Sequence, residues 1–550
     1  TFRSAPTAPQ TPQAVSHNLR DADTVDEYDM YVAPGTVGGA VAAAAQAGMS
    51  AADASRLTNI DVPKDTDALT AEEGGMPGKR SLTDVGNGRR IVDSFGAVMR
   101  YTPGLGWFHW SGSHWQFDKE TLYIKEQSKK IAAIISSEVV EYDDDDKMKV
   151  HQWATQARSS SRLNSAIEVA KTDPRIRVDV EGWDADPHLF GVANGVVDLR
   201  TGELFQGRPD LNITKHSPVA YTPGVTSAKF QKFLDEATNN DKELQDWIQR
   251  AAGYTLTGLS HLDNMFLVYG PPGSGKNTLV EAFVKCMGTA QYAWPLDSAV
   301  LGADDGHANR SDEYHWAKLI GKRMVWADEL PEGERIKENS VKKLTGSSEI
   351  SARSPGESPF TFSSQAKLWL TTNHRPMITD DAMWRRIRPV PWVHVPDHPD
   401  PSLKEYLFDP NGGLPAILAW MVEGAMKFLS SPSTDGLGWC KAVYDAAEMY
   451  RKSEDRIGLF FEEETAEAAG SEIFLMTLHR SYQSWSESRG EKPLALGKFQ
   501  RKLLDRGYNI VGNGASAVLY DYTQKIKAAG VSADINWAQL GNLDLGWMAN

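Results

Sequence analysis

Met265-Phe266-Leu267-Val268-Tyr269, followed at once by Gly270-Pro271-Pro272-Gly273-Ser274-Gly275-Lys276-Asn277-Thr278, decides how this chain is read. The five apolar residues form a buried-strand pattern, and Thr278 to Met287 has the pattern of a helix closed by Gly288 at its C′ position. Strand, glycine loop and helix are the context that gives a G-x-x-x-x-G-K match its meaning. The glycines let backbone N–H groups turn toward one point and cradle phosphate oxygens, while a lysine supplies a point charge. Gly270 to Thr278 are therefore the candidate ATP-binding residues, with Lys276 directed at the β- and γ-phosphates. One departure stands out. The position after the lysine, normally a Ser or Thr that ligates Mg²⁺, is Asn277, and Thr278 comes one place later. Either the Asn277 amide oxygen joins the metal's shell, or Thr278 is recruited, or the metal is held more loosely.

Working outward, a nucleotide site needs a carboxylate for the metal shell and a base for the attacking water. Met324-Val325-Trp326-Ala327-Asp328-Glu329 offers both at the end of an apolar strand, with Asp328 assigned to the metal and Glu329 to the water. A further strand, Lys367-Leu368-Trp369-Leu370-Thr371-Thr372, ends in Asn373, whose polar side chain is placed to reach a γ-phosphate. The plainer alternative for Asn373 is a turn-starting residue before His374-Arg375-Pro376. Met383-Trp384-Arg385-Arg386-Ile387-Arg388-Pro389 supplies guanidinium groups for an arginine finger reaching a neighbouring subunit. Arg386 and then Arg385 are the candidates, against a surface basic cluster or salt bridges to Asp380 and Asp381.

Ile350-Ser351-Ala352-Arg353, Ser354-Pro355-Gly356-Glu357 and Ser358-Pro359-Phe360-Thr361-Phe362 predict a β-hairpin with a Pro-Gly turn. A helix bearing Lys342 and Lys343 precedes it and stops at Gly346. Cations at a hairpin tip can grip successive phosphates of a strand, which makes Lys342, Lys343 and Arg353 candidate DNA contacts. Glu357 near the tip weakens that electrostatic case.

Residues 1–80, rich in Ala, Pro, Thr, Ser and Asp, are expected to be a tail or linker. Residues 81–225 are expected to form an α+β domain with a hairpin of aromatic strands, Trp107 to Trp115, and a second turn at Asn194-Gly195. The acidic run Asp143 to Asp146 is expected to be a solvated loop, since such runs repel one another and stay exposed. Residues 226–430 are expected to form the α/β motor with a helical lead-in, and the region beyond to be mainly helical. Within 431–525, Ile473 to Trp485 is amphipathic and Leu494 to Arg506 is a second helix. The latter carries Lys498, Arg501 and Lys502 on one face and Phe499 and Leu503 on another. With a hairpin at Tyr508 to Tyr520 this predicts a winged helix whose cations contact DNA, or else a protein-contact module with a solvated basic face. Residues 526–550 are expected to be a tail.

A chain of 550 residues exceeds a single core, and about three or four domains is the natural expectation. Formal net charge is −15, which argues against nonspecific coating of DNA but not against a channel lined by a few cations. The 2 cysteines, Cys286 and Cys440, exclude a zinc ribbon and fit a reducing cytoplasm. No apolar run approaches the roughly 18 residues of a membrane span, and a signal-peptide pattern is absent.

Taken together, the phosphate loop, the Asp-Glu strand, the hairpin, the Asn-tipped strand and Trp384-Arg385-Arg386-Ile387 resemble superfamily 3 helicases. The likeness is greatest to the phage, plasmid and poxvirus-type primase–helicases. Trp107 to Trp115, Ala193 to Leu204 and Gly253 to Gly258 match that family's segment before the motor, so the resemblance spans about 85–395. The resemblance implies a multidomain, mainly α/β chain with an AAA+-like P-loop ATPase core, and a homohexameric ring that hydrolyses ATP with Mg²⁺ at subunit interfaces. It also implies duplex DNA as the object of unwinding, and an upstream primase domain as a common companion. Residues 1–80 are too short and polar for such a domain, so a helicase-only chain or the C-terminal part of a longer protein is expected. The competing readings are a replication initiator whose ATPase is a switch, a packaging, clamp-loading or remodelling motor, and a small-molecule kinase. The accessory regions and the finger-like arginines argue against the kinase.

Overall fold

The computed structural model describes residues 79–302, 316–330, 335–346, 349–353, 360–378, 380–528 and 531–534. The expected N-terminal tail up to residue 78, the Pro-Gly tip of the expected hairpin and most of the expected C-terminal tail lie outside these residues. The chain divides into two compact units: Thr1–Met99 with Leu122–Ile176, and Arg100–Thr121 with Arg177–Asn550.

Helices make up the described part of the first unit: α1 (Asp84–Phe95), α2 (Leu122–Ser128), α3 (Ile131–Ser137), α4 (Asp144–Gln156) and α5 (Ser160–Ala170). The Thr83 hydroxyl caps α1 by accepting from the Gly86 N–H at 3.1 Å. Arg90 is buried on α1 and pairs with Glu138 at 2.5 Å. The acidic run is solvated as expected, but it is helix rather than loop. Asp144, Asp145 and Asp146 form the first turn of α4, where carboxylates oppose the positive end of the helix dipole. Asp144 and Asp146 are paired with Lys147 and Lys149 at 2.6 and 2.8 Å.

The chain crosses into the second unit through β1 (Met99–Thr102). The aromatic hairpin is β2 (Gly106–Trp110) and β3 (Trp115–Phe117), antiparallel with Trp110 opposite Trp115. The Asn194-Gly195 turn joins β4 (Leu189–Val192) to β5 (Gly195–Asp198), and β6 (Glu203–Phe205) extends that sheet. The span expected as one domain, 81–225, is therefore divided, because this later part packs on the α/β region that follows it. The Phe190 ring stacks on Tyr292 with centroids 4.4 Å apart. The Tyr292 hydroxyl accepts from the Gly191 N–H at 2.9 Å and donates to the Lys215 carbonyl at 3.0 Å.

After α6 (Ala228–Ala237) and α7 (Lys242–Leu256) comes a five-stranded parallel sheet. Its strands are β7 (Met265–Tyr269), β8 (Ala293–Pro295), β9 (Met324–Asp328), β12 (Lys367–Thr372) and β13 (Ile387–Pro391), in the order β13-β7-β12-β9-β8. Both faces are apolar, as a parallel sheet covered on two sides requires. Phe266, Val268 and Trp369 face a core that includes Leu279 and Phe283 of α8 (Lys276–Met287). Met265, Leu267, Leu368 and Leu370 face a second core. That core also takes in Val341 and Leu344 of α9 (Glu338–Thr345) and Ile350 of β10 (Glu349–Ala352). β10 pairs antiparallel with β11 (Phe360–Ser363), which forms the expected hairpin.

The helices α10 (Leu403–Phe408), α11 (Leu414–Leu429) and α12 (Lys441–Glu454) follow. α12 packs with the parallel sheet and not with the C-terminal module expected from residue 431. Val443 and Tyr450 are buried in the two sheet-face cores. A separate core begins with α13 (Arg456–Glu464) and joins α14 (Leu475–Ser488), α15 (Leu496–Asp505) and β16 (Val518–Ala528) through Phe460, Tyr482, Phe499 and Leu519. The hairpin of β15 (Ile510–Val511) and β16 is present, with Ile510 opposite Leu519. A strand absent from the sequence reading, β14 (Thr465–Phe474), pairs with β16. Its Ala- and Glu-rich residues show no apolar alternation to betray it. No described helix is long and apolar enough to cross a membrane.

Candidate active site

β7, β9 and β12 are parallel neighbours, so their C-terminal ends reach the same edge of the sheet. At that edge β7 runs into Gly270–Gly275 and then into α8. Gly270 is pressed against the backbone, where a Cβ would come within 1.9 Å of the Trp392 carbonyl. Gly273 and Gly275 have φ of 82° and 84°, the left-handed conformation that glycine adopts without steric cost. The loop is fixed from outside by Trp392, whose indole donates to the Ser274 carbonyl at 2.7 Å.

Lys276, only 7% exposed, donates from Nζ to the Pro271 carbonyl at 3.1 Å and to Asn373 Oδ1 at 2.5 Å. Asn373 Nδ2 in turn donates to Glu329 Oε1 at 2.5 Å. Burial pushes the Lys276 ammonium below its ordinary pKa, and the Glu329 carboxylate offsets part of that shift. Glu329 has a φ of 42°, rare for a residue with a side chain and costing about 1–3 kcal/mol. Its N–H donates to the Thr371 carbonyl at 2.8 Å, so the strained turn is held by the neighbouring strand. Asp328 is exposed and accepts from the Thr371 hydroxyl at 2.7 Å.

A cavity of about 370 Å³ is lined by Pro272, Gly273, Gly275, Lys276, Asn277 and Thr278 on one side. Glu329 and Thr371 to Asn373 line the other. Thr371 and Thr372 were not singled out from sequence as site residues. The Thr-Thr-Asn run at a strand end was the available signal, since a hydroxyl at such an end can reach both a carboxylate and the cavity.

The expected arginines separate. Arg385 is exposed, whereas Arg386 is 7% exposed and engaged with Asp263 at 3.0 Å and Thr345 Oγ1 at 3.1 Å. Both residues precede β13, at the opposite end of the sheet from the cavity, and Arg386, the first candidate for an arginine finger, is held there by an internal ion pair. Lys342 is likewise not a free cation, because it pairs with Asp380. Lys343 lies over the Trp316 ring at 4.3 Å. Arg353 is exposed at the end of β10, beside the undescribed hairpin tip. In α15 the expected faces hold: Phe499 and Leu503 are buried, and Lys498, Arg501 and Lys502 are exposed. None of these cations lines the cavity.

Residues 88–239 match the family described as D5 N terminal like, and residues 268–386 match DUF5906, a family of unknown function. The C962R protein of African swine fever virus, named as a candidate primase, is 24% identical over 335 residues, which cover 56% of this chain and 34% of that protein. The 022R protein of Frog virus 3, named as a candidate helicase, is 22% identical over 386 residues, covering 56% and 39%. This chain thus spans little more than a third of the length of the curated relatives it matches. Among solved structures, the apo C-terminal region of NrS-1 overlaps 66% of this chain and 90% of its own at 10% identity, with a TM-score of 0.38. By its D5-type segment and these viral relatives, the chain is similar to proteins of the primase–helicase kind.

Proposed function

We propose that this chain is the ATP-hydrolysing helicase part of a replicative primase–helicase. The observation that carries the reading is the run of hydrogen bonds from Lys276 through Asn373 to Glu329, from three adjacent strand ends, in one cavity. A phosphate-binding cation, a polar residue able to feel the γ-phosphate and a carboxylate able to orient water are the groups that phosphoryl transfer to water requires. The names of the viral relatives, primase and helicase, support a place in replication.

The residues fit ATP and Mg²⁺. A cavity of about 370 Å³ falls within the usual size of small-molecule sites. The glycine loop supplies N–H donors and Lys276 a charge. Asp328, with the Asn277 amide and the Thr278 hydroxyl, offers the oxygen donors that Mg²⁺ prefers. In this reading the core is a P-loop ATPase of AAA+ type, and Glu329 orients the attacking water. Arg385, as the exposed member of the arginine pair, reaches the site of the next subunit in a hexameric ring. Arg353 at the hairpin, with Lys498, Arg501 and Lys502 on a winged-helix-like module, meets DNA phosphates.

The test is ATP-dependent unwinding of a labelled forked DNA by wild type beside Lys276→Ala. Unwinding by wild type alone supports the helicase. Hydrolysis without unwinding on any fork moves the reading to an initiator whose ATPase is a switch, or to a packaging motor.

A further inference from the structure

Asn373 is the hinge of the site: it must hold its amide oxygen toward Lys276 and its amide nitrogen toward Glu329 at once. It sits at a strand end, where the chain turns away. Locally a small turn steadies it, in which the Thr372 hydroxyl donates to the His374 carbonyl at 2.6 Å. The next residues are gripped from α12. The Tyr450 hydroxyl donates to the Pro376 carbonyl, and the Ile378 N–H donates to Glu454 at 3.3 Å. Between the turn and these anchors lies Arg375. Its guanidinium carbon is 5.5 Å from the Tyr269 ring centroid and 5.4 Å from that of Tyr450. Tyr269 is the last residue of β7, directly before Gly270. One cation therefore bridges the strand that launches the phosphate loop, the loop that carries Asn373, and the buried Tyr450 ring of α12.

We infer that Arg375 is a positioning residue for Asn373. It acts through cation–π contacts with Tyr269 and Tyr450, and it does not itself line the cavity. Two rings sharing one guanidinium fix where the loop leaves the strand end relative to the phosphate loop. A shift of about 1 Å in a group that orients water is enough to cost roughly a hundredfold in rate. Substrate affinity, by contrast, rests on the glycine loop and Lys276, which Arg375 does not touch. This inference rests on the reading of the cavity as an ATP-hydrolysing site.

The experiment compares wild type, Arg375→Ala, Arg375→Lys and Lys276→Ala as full chains. It measures steady-state ATP hydrolysis, the Kd of a fluorescent ATP analogue and the midpoint of thermal unfolding. For Arg375→Ala, kcat falls by about ten- to a hundredfold, while KM and the analogue's Kd stay within about twofold of wild type. The unfolding midpoint is unchanged, and Arg375→Lys, which keeps a cation over the two rings, recovers much of kcat. An unchanged kcat overturns the inference. So does a Kd that rises as kcat falls, or an Arg375→Lys no better than Arg375→Ala. If Lys276→Ala hydrolyses ATP like wild type, the hydrolysis reading itself falls and takes the inference with it. If Lys276→Ala is inactive and Arg375→Ala is not, only the positioning role is lost.

Discussion

Lys276 donates from Nζ to Oδ1 of Asn373 at 2.5 Å, a bond between residues on different elements that reach the same edge of the parallel sheet. Lys276 also meets the Pro271 carbonyl and is buried, so its ammonium is already partly desolvated and aimed. Preorganised charge of this kind needs little rearrangement when a phosphate arrives. Removing the amide leaves the charge and takes away the group that ties it to Glu329. Asn373→Ala is therefore expected to retain nucleotide binding and to lose about 10²–10³ in kcat. Steady-state hydrolysis beside equilibrium binding checks this, and a variant that loses affinity with kcat intact would contradict the assignment.

Glu329 is held in a left-handed turn with its carboxylate on the Asn373 amide. Glu329→Gln keeps the shape and an acceptor but loses the negative charge. The expected outcome is tight nucleotide binding without turnover, seen as retention of unhydrolysed ATP on the isolated protein. Turnover within about tenfold of wild type would mean that the base lies elsewhere.

Arg385 and Arg386 are neighbours in sequence with opposite fates. Arg386→Ala removes a buried donor from Asp263 and Thr345 and is expected to destabilise the fold by about 1–3 kcal/mol. That appears as a lower unfolding midpoint, with hydrolysis reduced only as far as folded protein is lost. Arg385→Ala is expected to leave the midpoint alone and abolish hydrolysis in the assembled protein. Mixing Arg385→Ala with Lys276→Ala checks the point: recovery of activity in the mixture requires that the two groups act across subunits, and no recovery argues against a finger.

These cases mark what the sequence could convey. The strand, loop and helix from Met265 to Met287 were legible because the signal is local and each residue's role follows from its neighbours in the chain. Asp328, Glu329 and Asn373 were legible because strand ends in a parallel sheet converge by rule. The choice between Arg385 and Arg386 was not, since burial depends on Asp263, far away along the chain. Nor was the anchoring of the glycine loop by Trp392, or the attachment of the 177–225 region to the parallel-sheet region through Tyr292. Both are long-range contacts that leave no periodic trace. The Lys342–Asp380 ion pair hid in the same way.

The stacked histidines predict a pH effect outside the active site. The His114 and His216 rings lie 4.0 Å apart, between the β2–β3 turn and the segment after β6. Burial and the neighbouring ring push His114 down to about 4, and burial also lowers His216. His114 therefore resists protonation in the fold well below the pH at which the unfolded chain takes up protons, near the ordinary histidine value of about 6.5. The sign follows directly. Below about 6.5 the unfolded state binds protons that the folded state refuses, so this stability is complete above 6.5 and is lost as pH falls toward 4. The unfolding midpoint is expected to drop over that window, and His114→Gln is expected to flatten part of the drop, because glutamine can keep a hydrogen bond to Ser113 without titrating. An equal slope in wild type and variant would show that His114 does not carry the drop, which the paired carboxylates cannot carry either. Their pairs, such as Asp173 with Arg175, hold carboxyls below the usual range and lose their contribution only at lower pH.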